Sequence, residues 1–113
     1  MTKWCNSANA QAFKSSAIEL EVEKQFSAQA KALSHPARVR IVKILLNLEK
    51  LDGCLNSNLV SELGLAQSTV SEHLRILKQA GFITAESIPP KVCYRVNKSE
   101  IEKFSQRYAL IFS

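Results

Sequence analysis

Thiol groups offer the most versatile chemistry in this chain, which carries Cys5, Cys54 and Cys93. Thiolates bind soft metal ions and metalloids, and two neighbouring thiols can be oxidised to a disulfide. An odd number of cysteines at wide spacing argues against the disulfide framework of a small secreted domain. The cysteines are therefore candidate effector ligands or redox sensors. The alternative is that they are small packing residues.

A short polar stretch suggests a second chemistry, the reading of DNA bases. A helix that enters the major groove presents short hydrogen-bonding side chains near its N-terminus. Glutamine can pair there with adenine, arginine with guanine or phosphate, and glutamate with cytosine. The predicted DNA-contacting residues are Gln67, Ser68, Thr69, Ser71, Glu72, Arg75, Lys78 and, from a following turn, Lys91. A merely solvent-exposed helix face would have a similar pattern.

Composition narrows the class of protein. The chain has 113 residues, 46% of them hydrophobic, and a net charge of +5, which fits one globular domain with a polyanionic partner. The absence of an apolar leader segment or membrane-length apolar run predicts a cytoplasmic protein without a membrane partner. No glycine-rich loop or acidic cluster accompanies the cysteines and histidines, so we expect neither an enzyme nor a required cofactor.

Hydrophobic spacing predicts the elements that position these residues. A first helix should run from Ala10 to Leu33, capped by Asn6, Ser7 or Asn9, and a central helix from Pro36 to Leu48. A short strand at Cys54 and Leu55 precedes a helix-turn-helix. The remaining expected elements are helices at 59–63 and 67–80, strands at 82–88 and 91–97, and a last helix opened by a capping box at Ser99 and Glu102.

This order, α-α-β-α-α-β-β-α, is mainly α with a small β-hairpin wing and predicts a winged helix-turn-helix fold. The first helix has two apolar stripes, and the last helix has a strongly apolar one. A second stripe on a terminal helix implies a partner surface beyond the core. We expect residues 1–113 to form one DNA-binding domain whose terminal helices dimerise through Ile18, Val22, Phe104, Tyr108 and Ile111.

Three segments resemble the ArsR/SmtB family of metal- and metalloid-responsive repressors. The segment from Ala32 to Ile41 (ALSHPARVRI) looks like the family's opening motif, Leu65–Gly81 resembles its recognition helix, and Val92–Val96 its second wing strand. The resemblance implies a homodimer that binds double-stranded operator DNA and releases it when an effector binds. It strengthens the interpretation of the polar stretch as a DNA-reading face.

The resemblance also suggests where an effector would bind. Arsenic-sensing relatives often have a Cys-x-Cys near the first helix of the motif, whereas this chain has Cys54 alone there. The zinc sites that relatives have on the last helix use histidine, which is missing from this helix. In winged helices the strand at Cys54 would pair with the wing strand, bringing Cys54 close to Cys93, and Cys5 could join from the other subunit.

The sequence therefore predicts a DNA-binding repressor released by a metalloid, a soft metal or thiol oxidation. A regulator without a metal or thiol effector and a winged-helix protein-interaction module are the alternatives. His35, which precedes the central helix, is expected to cap or pack, and His73 to form a structural hydrogen bond rather than to contact a base.

Overall fold

The computed structural model describes residues 3–55 and 59–113, with side chains from residue 7 onwards. Within these ranges no helix is long and apolar enough to cross a membrane. The elements are α1 (Lys3–Ala12), α2 (Ala17–Ala32), α3 (Pro36–Lys50), α4 (Leu59–Leu63), α5 (Gln67–Gln79), β1 (Ile83–Ile88), β2 (Lys91–Val96) and α6 (Lys98–Phe112). The mainly helical winged helix-turn-helix fold is confirmed.

The N-terminal region differs from its prediction. The expected single helix from Ala10 to Leu33 is wrong, because α1 ends at Ala12 and α2 begins at Ala17. Ser16 starts the second helix through a capping box with Glu19, in which both backbone-to-side-chain distances are 3.1 Å. The proposed caps Asn6, Ser7 and Asn9 lie inside α1. The continuous apolar spacing hid this helix start, which the Ser-x-x-Glu spacing signals.

The start of the last helix also lies earlier than predicted. Asn97, rather than Ser99, caps α6, and its Oδ1 accepts a hydrogen bond from the Glu100 amide at 3.3 Å. The Asn97 amide donates to the Phe82 carbonyl at 2.8 Å, so the end of the hairpin holds this residue in place. A tertiary contact of this kind selects between two possible caps, and local spacing cannot reveal it.

The core lies between α3, α5 and the hairpin. Its most completely buried large side chains are Phe82, Ile41, Leu45, Leu77 and Ile83. Helix α5 turns the predicted stripe of Val70, Leu74 and Leu77 inwards. Gly64 and Gly81 follow α4 and α5 with φ values of 65° and 87°, a conformation in which a side chain would be strained. These glycines fix the two turns that set the orientation of α5.

The hairpin is antiparallel, with Ile83 opposite Val96 and Ile88 opposite Lys91. The short strand expected at Cys54 and Leu55 is a single bridge, in which Leu55 and Tyr94 exchange backbone hydrogen bonds of 3.0 and 2.8 Å. This bridge attaches the segment before α4 to the wing. The wing is therefore joined to the helix-turn-helix by backbone hydrogen bonds as well as by the chain that follows α5.

The N-terminal region extends away from the core. The molecule measures 67 × 25 × 21 Å and has a Cα radius of gyration of 18.9 Å. A compact domain of this length has a radius of roughly 13 Å. All side chains from residue 7 to residue 21 are exposed. Helix α1 and the first turn of α2 thus gain little stabilisation from the rest of the chain.

Candidate nucleic-acid interface

Helix α5 separates its polar and apolar residues clearly. Val70, Leu74 and Leu77 are buried on one side. Every residue of the predicted DNA-contacting set is exposed, namely Gln67, Ser68, Thr69, Ser71, Glu72, Arg75, Lys78 and Lys91. The buried stripe fixes the rotation of the helix, so the hydrogen-bonding side chains at its N-terminal half face outwards.

The wing lies beside the N-terminal half of α5. Gln67 and Ser71 from the helix and Pro90 and Lys91 from the wing line one groove of about 330 Å³. Lys91 is the first residue of β2 and follows the turn of the hairpin. The arrangement brings a helix face and a cation at the wing turn to a shared surface.

Arg75 and Glu72 pair with each other on the exposed face. Arg75 Nε donates to Glu72 Oε2 at 2.9 Å, a second hydrogen bond joins Nη2 to Oε1, and Nη1 donates to Gln79 Oε1 at 2.9 Å. The hydrogen bond from Arg75 lowers the pKa of Glu72, and the same bond raises the pKa of Arg75. Both groups are therefore charged, and three of the five N–H donors of Arg75 are engaged within α5.

The two histidines pack behind this surface. His35 caps α3, with Nδ1 accepting from the Ala37 amide at 3.0 Å. The ring centroid of His73, which is 5% exposed, lies 4.5 Å from that of His35. Burial, followed by the neighbouring His35 and Arg38, lowers the pKa of His73. These contacts confirm the cap at His35 and the inward, structural position of His73.

Arg38 is a residue that the sequence analysis did not single out. Its Nε donates to the Ala32 carbonyl at 2.6 Å, and its Nη1 lies 3.2 Å from His73 Nδ1. It thus links the end of α2 to α5. The signal that could have revealed it is its position in the segment ALSHPARVRI, two residues after the proline.

Cys54 and Cys93 are neighbours, as predicted. They form a disulfide with their Cα atoms 5.8 Å apart, and Cys93 is 4% exposed. The bond joins the segment before α4 to β2, next to the bridge between Leu55 and Tyr94. The side chain of Cys5 lies outside the described part of the chain. Within that part, no group of three or more potential metal-ligating side chains is brought together.

The residues predicted to dimerise occupy two kinds of environment. Ile18 and Tyr108 are 78% and 57% exposed, and Val22 and Ile111 are half-buried. Phe104 instead packs within the chain, with its ring centroid 4.9 Å from that of Phe26 and 5.4 Å from that of Phe82. Ile18, Val22, Leu110 and Ile111 border a groove of about 250 Å³, called the terminal groove below.

Residues 35–85 match the family described as "Bacterial regulatory protein, arsR family". The segment from the start of α3 to β1 thus resembles the ArsR family. The chain is 41% identical over 66 residues to the HTH-type transcriptional repressor SmtB of Mycobacterium tuberculosis (strain ATCC 25618 / H37Rv), covering 58% of this chain and 46% of that protein. It is 34% identical over 71 residues to the uncharacterized HTH-type transcriptional regulator Rv0081 of the same strain, covering 63% and 60%.

A solved structure shares the fold of this chain. An ArsR-like transcriptional regulator from Rhodococcus sp. RHA1 has a TM-score of 0.63 and 20% sequence identity, over 79% of this chain and 80% of that one. The predicted resemblance is thus confirmed. ArsR-family proteins are transcriptional regulators rather than enzymes, which agrees with the class expected from the sequence.

Proposed function

We propose that this chain is a sequence-specific transcriptional repressor that binds operator DNA as a homodimer in the cytoplasm. The observation that carries the proposal is the orientation of α5, whose buried stripe directs the predicted DNA-contacting side chains of this helix outwards. Each subunit places one α5 in the major groove of a half-site. In a symmetric dimer the half-sites lie about 34–36 Å apart on an imperfect palindrome.

The start of α5 supports this assignment. Ala66 occupies the N-cap position, and no side chain there accepts a hydrogen bond from the first amides of the helix. Uncapped amides at a helix N-terminus bind phosphate oxygens well. Ser68 and Thr69 stand at the same end and add hydroxyl donors. The helix start thus contacts the backbone, while Gln67, Ser71 and Arg75 contact base edges.

Arg75 and Glu72 supply selectivity through their exchange of partners. Arg75 gives up its contacts with Glu72 and Gln79 to pair with guanine, and Glu72 is then free to accept a hydrogen bond from cytosine. A sequence that satisfies only one of them leaves the other carboxylate or guanidinium unpaired near DNA. Such a site is disfavoured, which raises discrimination between bases.

The DNA-binding proposal is tested by selecting a preferred duplex and measuring affinity over a range of salt concentrations. Arg75→Ala should cost about 1–3 kcal/mol on the preferred site and relax the preference at one base pair. Lys91→Ala should weaken all duplexes alike and reduce the salt slope by about 1. The matched control is Lys43→Ala, which removes one exposed charge from α3.

If DNA bound to another surface of the chain, Lys91→Ala and Arg75→Ala would have the same duplex affinity as Lys43→Ala. A winged-helix protein-interaction module would show little salt-dependent affinity for any duplex. Either result would overturn the assignment of α5 and the wing as the DNA-binding surface.

The thiol pair is the proposed effector site. Its position supports this role, because the bond between Cys54 and Cys93 joins the segment before the helix-turn-helix to the wing. Cytosolic disulfides are rare and usually transient, which favours a switch over a permanent crosslink. In the proposed cycle, the dithiol form binds the operator, and oxidation or metalloid binding shifts the wing relative to α5 and releases it.

Both reactions of the pair are chemically balanced. A hydroperoxide accepts two electrons and the thiol protons, forms the disulfide and leaves as an alcohol and water. Arsenous acid exchanges two hydroxyl groups for the two sulfur atoms of the reduced pair and releases two water molecules. A soft metal ion instead displaces the thiol protons. Cys5 has at most a supporting role as an additional thiolate.

Operator release tests the thiol proposal. Reduced protein bound to fluorescent operator is titrated with arsenite, cadmium, zinc and a hydroperoxide. We expect release from the wild type and retention by the double variant Cys54→Ser, Cys93→Ser, with Cys5→Ser as the matched control. A coupling of about 1–3 kcal/mol would be ordinary for an allosteric switch. If the double variant is released as readily as the wild type, the pair is structural and the regulator uses another effector.

A further inference from the structure

A cleft of about 720 Å³ lies between α2, α5 and α6. Its base is organised around Gln29, which is only 7% exposed. The Gln29 amide donates to the Ala80 carbonyl at 3.2 Å and to Glu100 Oε1 at 2.8 Å, and its oxygen accepts from Arg107 Nη1 at 2.8 Å. The volume lies in the range of small-molecule sites, in which a few fixed polar groups orient the ligand.

The walls of this cleft carry an excess of positive charge. Lys31, Arg38, Arg75 and Arg107 line it together with the single acid Glu100. Glu72 neutralises Arg75, and Glu100 lies 3.4 Å from Arg107. Over residues 3–55 and 59–113, the structure places no acidic group within 4.0 Å of Lys31 or Arg38. A concave surface with an unneutralised charge attracts anions.

Two guanidinium groups are held in place with donors to spare. Arg38 uses Nε and Nη1 for Ala32 and His73, which leaves Nη2 without a partner among the described residues. Arg107 makes its contacts with Gln29 and Glu100 through Nη1, which leaves Nε and Nη2 for another acceptor in the same part of the chain. Guanidinium groups fixed in this way pair well with phosphate and carboxylate oxygens.

We propose that the cleft binds the phosphate or carboxylate group of a small organic anion. Arg38 and Arg107 donate to its oxygens, and Lys31 adds charge. Ile76 and Gln79 of the recognition helix form part of the wall opposite α2 and α6. A bound anion therefore connects the recognition helix with the terminal helices. A phosphate of DNA has the same chemistry and is the other possible source of the group.

Anion binding is measured on the full reduced chain without DNA. The result therefore does not depend on whether the chain is a repressor. Inorganic phosphate, citrate and glucose 6-phosphate are titrated at constant ionic strength while backbone amide shifts are followed. We expect saturable shifts at Gln29, Ile76 and Gln79 with at least one probe. Lys31→Gln should weaken binding about 3- to 10-fold, as expected for loss of one charge-assisted contact.

Matched variants separate binding from folding. Lys31 is exposed and its side chain makes no hydrogen bond or ion pair within the described ranges, so Lys31→Gln should leave the Tm unchanged. Arg38→Gln should weaken anion binding more strongly, but it also removes the contact with His73. Arg40→Gln removes an exposed charge from the same helix and lies outside the cleft lining, so it serves as the control.

A duplex titration identifies the source of the anion. If a DNA phosphate occupies the cleft, the small anions compete with a non-specific duplex and Lys31→Gln reduces the salt slope by about 1. If a free anion occupies it, Lys31→Gln weakens binding of the anion and leaves the salt slope for DNA unchanged. The proposal is overturned if Lys31→Gln behaves like Arg40→Gln in both titrations.

Discussion

The winged-helix unit, residues 35–97, and the terminal helices α1, α2 and α6 bury their apolar side chains to very different extents. Ile41, Leu77 and Phe82 in the winged-helix unit are 0% exposed. Phe13, between α1 and α2, is 86% exposed, and Ile18 of α2 and Leu110 of α6 are 78% and 72% exposed. The first region completes its core within one chain. The second leaves apolar side chains exposed, and a second copy of the chain would cover them.

The two regions are joined by the hydrogen bonds of Gln29 and Arg38 described above and by an aromatic contact. Phe104 of α6 lies between Phe26 of α2 and Phe82 of the winged-helix unit. One side of the terminal helix pair is therefore anchored to the core while its other side is exposed. This division predicts that a substitution should affect either unfolding of the chain or its association, depending on the region.

The largest expected effect is loss of stability after Phe82→Ala. Removing a fully buried phenyl ring should cost about 3–5 kcal/mol, because a cavity replaces its contacts. Phe112→Ala removes the same group from a side chain that is 62% exposed and should cost about 1 kcal/mol or less in the monomer. Urea unfolding at low protein concentration measures both. Equal costs would contradict the contrast between the two regions.

Association should be the next largest effect. Ile18→Lys with Leu110→Lys places two charges in the terminal groove and should raise the dimer dissociation constant about 100-fold, or about 2.8 kcal/mol. The winged-helix unit should stay folded. Sedimentation measures the mass, and circular dichroism verifies the helices.

Ser27→Lys with Asn47→Lys adds the same charges at exposed positions outside that groove and serves as the control. Substitution of Phe104 would be a poorer test, because its contacts with Phe26 and Phe82 stabilise the monomer. A wild-type chain that sediments as a monomer at micromolar concentration would exclude dimerisation by the terminal helices.

Local signals in the sequence were sufficient for the winged-helix unit. Gly64 ends α4, Pro36 begins α3, and the stripe of Val70, Leu74 and Leu77 sets the orientation of α5, all as predicted. These features depend on residues close in sequence. The strand pairing of the winged-helix fold supplied the expected proximity of Cys54 and Cys93, which spacing alone could not give.

Features that depend on distant residues escaped prediction. Arg38 reaches His73, and Gln29 reaches Glu100 and Arg107, contacts that link residues far apart in the sequence. The break between α1 and α2 was missed for another reason, since a helical stripe continued across it. Periodicity describes which side of a helix is apolar and is insensitive to a short interruption.

Loss of the capping box at the start of α2 should have a smaller effect on stability. Ser16→Ala removes the hydroxyl that accepts from Glu19 and should cost about 1 kcal/mol of the free energy of unfolding. Ser15→Ala removes an exposed hydroxyl beside it and is the matched control. Backbone amide exchange of residues 17–20 should accelerate only in the first variant. Equal exchange in both would mean that α2 does not depend on this capping box.

Acid should weaken the winged-helix unit through His73, with the smallest effect of the set. Its pKa is lowered, first by burial and then by His35 and Arg38, although the nearby Glu72 opposes this. A histidine with a lowered pKa binds its proton more readily in the unfolded chain. Its contribution to stability is therefore complete above a pH of about 6.5 and declines as the pH falls below that value.

Urea midpoints between pH 8 and pH 5 should decrease for the wild type and change less for His73→Gln. The mass of the dimer should stay constant while this happens, because the His35, Arg38 and His73 cluster lies within residues 35–97 rather than in the terminal groove. Parallel pH profiles for the two proteins would show that another group causes the acid sensitivity.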